Sequence, residues 1–444
     1  MPVAIGEGTK TRPLGNCTTC SVQLPLRFAG TGEQPSLWLC ANCGSRYVGV
    51  VDQSCTSEIR KNVVAEKGDL SEEPPQNSPS CFGAPQQPIE SAITVPAARQ
   101  GVLATARNDL TDAVDESLES GIPLSSEPQG PAFNDRVHQH GAEPFESHDV
   151  EVAMGIFNDS LWKIDELFAA LEKNQEPDLP SVERVARLAL ESAAGDLDLI
   201  TSLGISPSSE SYPTRHSLQV SNLALAIGVT LGYDETMLLD LSTGCLLHDV
   251  GMLKVKGRVW QAQKELRQEE FAAIANHPCD SLGLLEEHID SVSFATKMVV
   301  YQTHERLNGS GYPRGYSSER IHDLAKVAAV ADAFVALVSP RPHRKALLPY
   351  HAMIKLLADV KSGQYDSVVV RALLRTVSLF PLGSYVSLNE SRIARVMRSS
   401  GEKYTQPVVE VWTPGRCNGV GEIVDLAKSE DLRITGPLAQ LPTG

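Results

Sequence analysis

Four histidines and two aspartates fall on apolar stripes in the second half of the chain: His216, His248 with Asp249, His277, His304 and Asp332. In "STGCLLHDVGM", Leu238, Leu241, Cys245 and His248 follow steps of three, four and three, which puts His248 on the buried face of a helix with Asp249 directly after it. His216 shares a helical face with Val220, Leu223 and Ile227. His277 continues a stripe from Phe271 and Ile274, and Pro278 marks that helix boundary. His304 stands four residues after Val300, and Asp332 is the one charged residue in "VAAVADAFVALV". A buried polar group is costly unless it is hydrogen-bonded or bound to a cation. A hydrogen-bonded His248–Asp249 pair in a core would satisfy one site. Six such groups on separate helices instead suggest convergence on metal, because imidazole favours first-row transition metals and a carboxylate can bridge two of them. Two such ions suit phosphoryl hydrolysis, since together they acidify water and stabilise the attacking and leaving oxygens.

These side chains need helices to position them. From about residue 150 the chain reads as long helices, as in "VAMGIFNDSLWKIDELFAALEK", with apolar residues at three- and four-residue steps. The helical region is expected over 150–400, and a β-rich tail over 401–444, where "QPVVEVWTPGRCNGVGEIVDL" alternates and carries turn signals. In "HERLNGSGYPRG", Gly309, Gly311 and Gly315 allow a tight turn right after His304.

Upstream the texture differs. Cys17 and Cys20, then Cys40 and Cys43, form two Cys-x2-Cys pairs with β-prone stretches and a turn between them, a spacing suited to one structural zinc in a ribbon over 10–52. Four unrelated thiols and a redox pair are the alternatives. Residues 56–148, rich in Pro, Ser, Gln and Glu, read as a disordered acidic linker, with His138, His140 and His148 exposed at its end. Most of the net charge of −16 lies there, and it excludes general binding to nucleic-acid polymers through phosphate. The nine cysteines and the lack of an apolar N-terminal core or membrane-length run predict a cytoplasmic protein with no membrane association. His288, His322, His343 and His351 are expected at the surface or in loops, and Cys245 and Cys279 in packing roles.

The order His216, His248-Asp249, His277, His304-Glu305, Gly311-Tyr312-Pro313, Asp332, with intervals of 32, 29, 27 and 28 residues between the successive histidines and Asp332, resembles the HD-GYP family of metal-dependent phosphohydrolases. The resemblance covers about residues 185–400. It implies a mainly α HD-type helical bundle that hydrolyses the bacterial second messenger cyclic di-GMP, to the linear dinucleotide or GMP, using two iron or manganese ions. It further implies that His216, His248, Asp249 and Asp332 hold the first ion, that Asp249 bridges, and that His277 and His304 hold the second. His248 and Asp249 would form the catalytic pair. Gly311, Tyr312 and Pro313 would line the cleft for substrate or for messenger-synthesising GGDEF-type domains, and Arg341 and Arg344 would meet phosphate. Met252 replaces the family's lysine, Thr303 its first paired histidine, and Tyr212 a glutamate that supports a third metal in some members; Asn308 and Val335 replace common aspartates. These departures predict reduced turnover. The alternative is a catalytically degenerate member acting as a nucleotide-binding or protein-interaction module. The oligomeric state, a homodimer included, is not fixed by the sequence.

Overall fold

The computed structural model describes residues 36–39, 46–49, 107–120, 123–206, 212–261, 266–286, 292–341, 344–412 and 421–439. The chain divides into two compact units. In the N-terminal unit, β1 (Ser36–Leu39) pairs antiparallel with β2 (Arg46–Gly49), Leu37 opposite Val48. The four clustered cysteines, and with them the zinc-ribbon expectation, lie outside the described residues.

The second unit is mainly helical and ends in a small antiparallel sheet. Its helices are α1 (Asp109–Glu119), α2 (Ser147–Glu172), α3 (Leu179–Gly195), α4 (Leu197–Gly204), α5 (Thr214–Leu231) and α6 (Glu235–Leu247), followed by α7 (Gln268–Ala275), α8 (His277–Leu285), α9 (Phe294–Gln302), α10 (Asp323–Val338), α11 (Pro349–Lys361) and α12 (Ser367–Val377). Local chemistry fixes many of their ends. The carboxylates of Asp196, Asp234 and Asp366 accept from backbone N–H groups in the first turns of α4, α6 and α12, and Gly232 closes α5 in the left-handed conformation. The central pair is α5 and α10. Leu223, Ile227, Val327, Val330 and Phe334 are fully buried in one core shared with α12 and the sheet, and each such side chain contributes about 1.5–3 kcal/mol by leaving water. Among the described residues no helix is long and apolar enough to cross a membrane.

The sheet runs β6-β5-β4-β3-β7, built from β3 (Tyr385–Leu388), β4 (Ile393–Arg398), β5 (Val408–Trp412), β6 (Glu422–Asp425) and β7 (Ile434–Leu438). It therefore begins before residue 401; the sequence boundary fell inside the fold because β3 and β4 pack directly on the helical core through Val386, Ala394 and Val396. The guanidinium of Arg398, 2% exposed, ties β4 to α4 by donating to both Asp196 oxygens at 2.7 Å. The linker expectation also needs correction at its C-terminal end. Residues 109–119 form α1, whose Val114 and Leu118 are buried against Leu282 of α8 and Tyr301 of α9. These two residues lie one turn apart on the packed face of a short acidic helix whose other side stays in water.

Candidate metal centre

The His-Asp pair is placed by a sharp change of backbone. His248 caps the C-terminal end of α6, Asp249 follows, and a 3-10 turn continues over Val250–Lys254. This turn presses against the start of α8: a Cβ on Gly251 would lie 2.0 Å from the His277 carbonyl oxygen, so a side chain there would force the two apart. Ser281 of α8 locks the contact. Its hydroxyl accepts from Gly251 N–H and donates to the His248 carbonyl, both at 2.8 Å. His277 is the first residue of α8, with Pro278 in the first turn, where a missing N–H costs nothing. His216 lies in the first turn of α5, Asp332 in the middle of α10, and His304 two residues beyond the end of α9.

These elements bring all six side chains together. The ring centroids of His216 and His248 are 5.8 Å apart, those of His248 and His304 5.7 Å, and those of His277 and His304 4.7 Å. Two sets of donor atoms, His216-His248-Asp249 and Asp249-His277-His304, each lie within 4.8 Å, and Asp249 belongs to both. Asp332 stands beside them, its Oδ1 2.9 Å from His216 Nε2 and its Oδ2 3.4 Å from His304 Nδ1.

The hydrogen bonds test whether this set fits metal. Nδ1 of His248 lies 2.7 Å from the Cys245 carbonyl oxygen, and Nδ1 of His277 lies 2.7 Å from that of Ile274. A carbonyl only accepts, so both Nδ1 atoms carry a proton, which leaves Nε2 as the atom of each ring that can ligate a metal. Those Nε2 atoms are buried without a hydrogen-bond partner and face Asp249 Oδ1 at 3.4 and 3.2 Å. Both Nε2 atoms thus converge on one carboxylate oxygen in a buried site, as donors to a shared metal do, and an outer carbonyl on Nδ1 is the usual support of a ligating histidine. The donor set fits transition-metal ions.

The charge states agree with this. Burial alone would raise Asp249, but His248 and His277 outweigh it and hold the carboxyl far below the usual range. Burial likewise opposes ionisation of Asp332, and the imidazoles of His216 and His304 overcome it. Burial lowers His216 against the pull of Asp332, and it lowers His304 to about 4. Ionised carboxylates and neutral imidazoles are the forms that ligate metal.

The glycine loop closes one side. The ring of Tyr312 stacks on His304, with centroids 4.9 Å apart and planes 16° from parallel, and Phe271 meets its edge. Gly311 has no room for a side chain, because a Cβ would lie 2.4 Å from Arg306 N. Glu305, buried beside His304, gathers the far end of the loop by accepting from the N–H groups of Arg314, Gly315 and Tyr316 at 2.8, 3.1 and 3.0 Å. Burial raises its carboxyl to about 7 in spite of those bonds. On the other side the guanidinium of Arg341 lies 4.4 Å over the ring of Tyr212, which in turn tilts against His216. Arg344 is placed differently from Arg341. Its guanidinium donates to the carbonyls of Ala336 and Leu337 at the end of α10, so it fixes the turn that carries Arg341.

Departures from the family pattern have structural counterparts. Met252 is buried, whereas Lys254 is exposed on the turn. The Thr303 hydroxyl donates back to the Val299 carbonyl at 2.5 Å and is engaged within α9. His322 is not at the surface: it is buried, its Nδ1 accepts from Leu324 N–H, and it caps α10. His351 is half-buried beside Tyr350, and His288 and His343 lie outside the described residues. Asp115 of α1, which bonds the same loop from outside, escaped the sequence argument, and Glu305 entered it only as part of the His304-Glu305 motif, without the role of its carboxylate in the loop backbone.

Residues 205–369, which contain all six converging side chains, match the family model of the HD domain. A cyclic di-GMP phosphodiesterase of Pseudomonas aeruginosa is 30% identical over 223 residues, covering 50% of this chain and 53% of that protein. A cyclic di-GMP phosphodiesterase of Borreliella burgdorferi is 26% identical over 189 residues, covering 43% and 49%. A 3′3′-cGAMP-specific phosphodiesterase of Vibrio cholerae is 30% identical over 167 residues, covering 37% and 38%. The chain thus spans about half the length or less of these curated relatives. Among solved structures, an HDGYP protein from Bdellovibrio bacteriovorus aligns with a TM-score of 0.44 at 19% identity, covering 52% of this chain and 74% of that one.

Proposed function

We propose that this chain is a metal-dependent phosphodiesterase of HD-GYP type that hydrolyses cyclic di-GMP. The observation that carries the reading is the pair of buried Nε2 atoms without hydrogen-bond partners, from His248 and His277, facing one oxygen of Asp249, which is shared by two donor sets. The relatives that hydrolyse cyclic dinucleotides support the substrate class. His216, His248, Asp249 and Asp332 would hold one iron or manganese ion, and Asp249, His277 and His304 the other. Two such ions supply Lewis acidity toward phosphate and acidify water at neutral pH. The protein orients the rest. Arg341, held on the face of Tyr212, offers paired N–H donors to a phosphate, and Tyr312 with Gly311 and Pro313 forms the cleft wall that a guanine base or a GGDEF-type partner would meet. Earlier in the chain, the reading assigns one structural zinc to Cys17, Cys20, Cys40 and Cys43, on the spacing of their two pairs.

One second reading has its own support. The buried Met252 side chain offers no cation to the phosphate, and Thr303 offers no imidazole, which favours a module that binds the dinucleotide without turning it over. Full-length protein purified without oxygen, assayed on cyclic di-GMP and on 3′3′-cGAMP with added manganese or iron, separates these. Slow hydrolysis of cyclic di-GMP that needs metal and vanishes in Asp249→Ala supports the proposal. Tight binding without hydrolysis moves the assignment to the binding module, and faster hydrolysis of 3′3′-cGAMP changes the substrate.

A further inference from the structure

The loop that carries Tyr312 is held from two directions. From inside, Glu305 takes three of its backbone N–H groups. From outside comes a residue almost two hundred positions earlier in the chain. Asp115 projects from the middle of α1 into a pocket where it is 14% exposed. There its Oδ2 accepts from Arg314 Nε at 3.0 Å, and its Oδ1 accepts from the hydroxyls of Tyr301 and Tyr316 at 3.0 and 2.5 Å. Arg314, only 10% exposed, follows Tyr312 by two residues. Three donors on one carboxylate, two of them from the loop and one from α9, fix the loop against the helix that leads to His304. Charge-assisted bonds of this kind are shorter and stronger than neutral ones.

The helix bearing Asp115 is itself well seated. Asn108 caps it with a reciprocal box to Thr111 and donates through Nδ2 to the Cys279 carbonyl at 3.0 Å, which ties α1 to the helix that begins with His277. Asp115 therefore touches no ligand of the proposed metals, yet it grips both ends of the segment that sets the Tyr312 ring.

We infer that Asp115 is a positioning residue for the site: by holding Arg314 and Tyr316 it keeps the Tyr312 ring over His304 and the cleft wall in shape for the dinucleotide. The kinetic part of this inference rests on the phosphodiesterase reading; the structural part does not. The consequence falls on substrate binding more than on the chemical step, because the metal ligands keep their own supports in Ser281 and in the Cys245 and Ile274 carbonyls.

The test compares wild type, Asp115→Asn and Asp115→Ala in the full-length, metal-loaded protein. Asn keeps an acceptor for the tyrosines and removes the charge facing Arg314. In Asp115→Ala, amide hydrogen exchange at Arg314–Tyr316 should speed up about tenfold or more while that in α10 stays unchanged. In the same variant KM for cyclic di-GMP should rise about tenfold with kcat within about threefold. Asp115→Asn should fall between, with KM up about threefold, and it alone decides if the alanine variant does not fold. Unchanged exchange in the loop, or a folded Asp115→Asn with wild-type KM, overturns the inference. A wild-type protein without turnover counts against the phosphodiesterase reading, and the exchange measurement then decides the role of Asp115.

Discussion

The two halves of the candidate metal centre use the same kinds of side chain on very different backbones. His216 and Asp332 belong to α5 and α10, long helices packed on each other through apolar side chains of one core. His277 opens a nine-residue helix, and His304 sits past the end of α9 where the chain runs into glycine. The ligands of this second half stand at helix ends, where His277 Nδ1 bonds the Ile274 carbonyl and Glu305 gathers the loop after His304, rather than on a rigid rod. It also has fewer donors: Asp332 reaches His216 at hydrogen-bond distance, and Thr303 turns back to Val299. The half with His216 and Asp332 draws on two packed helices and has one donor more, so the second ion should be held more weakly.

The most severe way to break this asymmetry is to remove the ligand common to both halves. Asp249→Ala should lower cyclic di-GMP hydrolysis by more than about 100-fold, since loss of outer-shell support alone costs 10–100-fold. Next in size is repair of the weak half. Met252→Lys combined with Thr303→His should raise kcat by about tenfold or more, because a single charge-stabilising donor is worth 10²–10³ in comparable sites. Selective damage should follow the same division: His277→Ala, read by metal analysis after dialysis against chelator, should lose one ion and keep the other, whereas equal loss of both would show that the halves are one unit.

The smallest effect concerns the support of the strong half. His322 caps α10 through an Nδ1 that must be unprotonated to accept from Leu324 N–H, and burial lowers its imidazole to about 4. The ring is neutral in the fold and takes up protons near 6.5 once unfolded. Its contribution is complete above that value and declines as pH falls toward 4. Between pH 7 and pH 5 this one group should cost about 2 kcal/mol of stability. Denaturant unfolding at both pH values checks it; His322→Asn, which can also cap, should show a pH dependence flatter by about that amount.

The stripes on which the six converging residues lie were legible because a charged or imidazole group among helical apolar residues is conspicuous, and the intervals between them were specific. Asp115 was not legible. It sits in a stretch with 16 acidic and 6 basic residues over 56–150, where one more carboxylate looks solvated, and its partners are 186 to 201 positions away. His322 was missed for a related reason: "ERIHDLAK" looks like a polar turn, and only the end of α10 makes the imidazole a buried cap. The early start of the sheet was hidden because β3 and β4 are short and join a core whose other members are helical.

The account stands or falls on two ions sharing Asp249. The most direct measurement is elemental analysis of full-length protein purified without oxygen and loaded with manganese or iron. The prediction is two such ions per chain in the wild type, apart from any zinc, and fewer than one in a folded Asp249→Ala variant. A wild type that retains neither ion, or an Asp249→Ala variant that retains both, would contradict it.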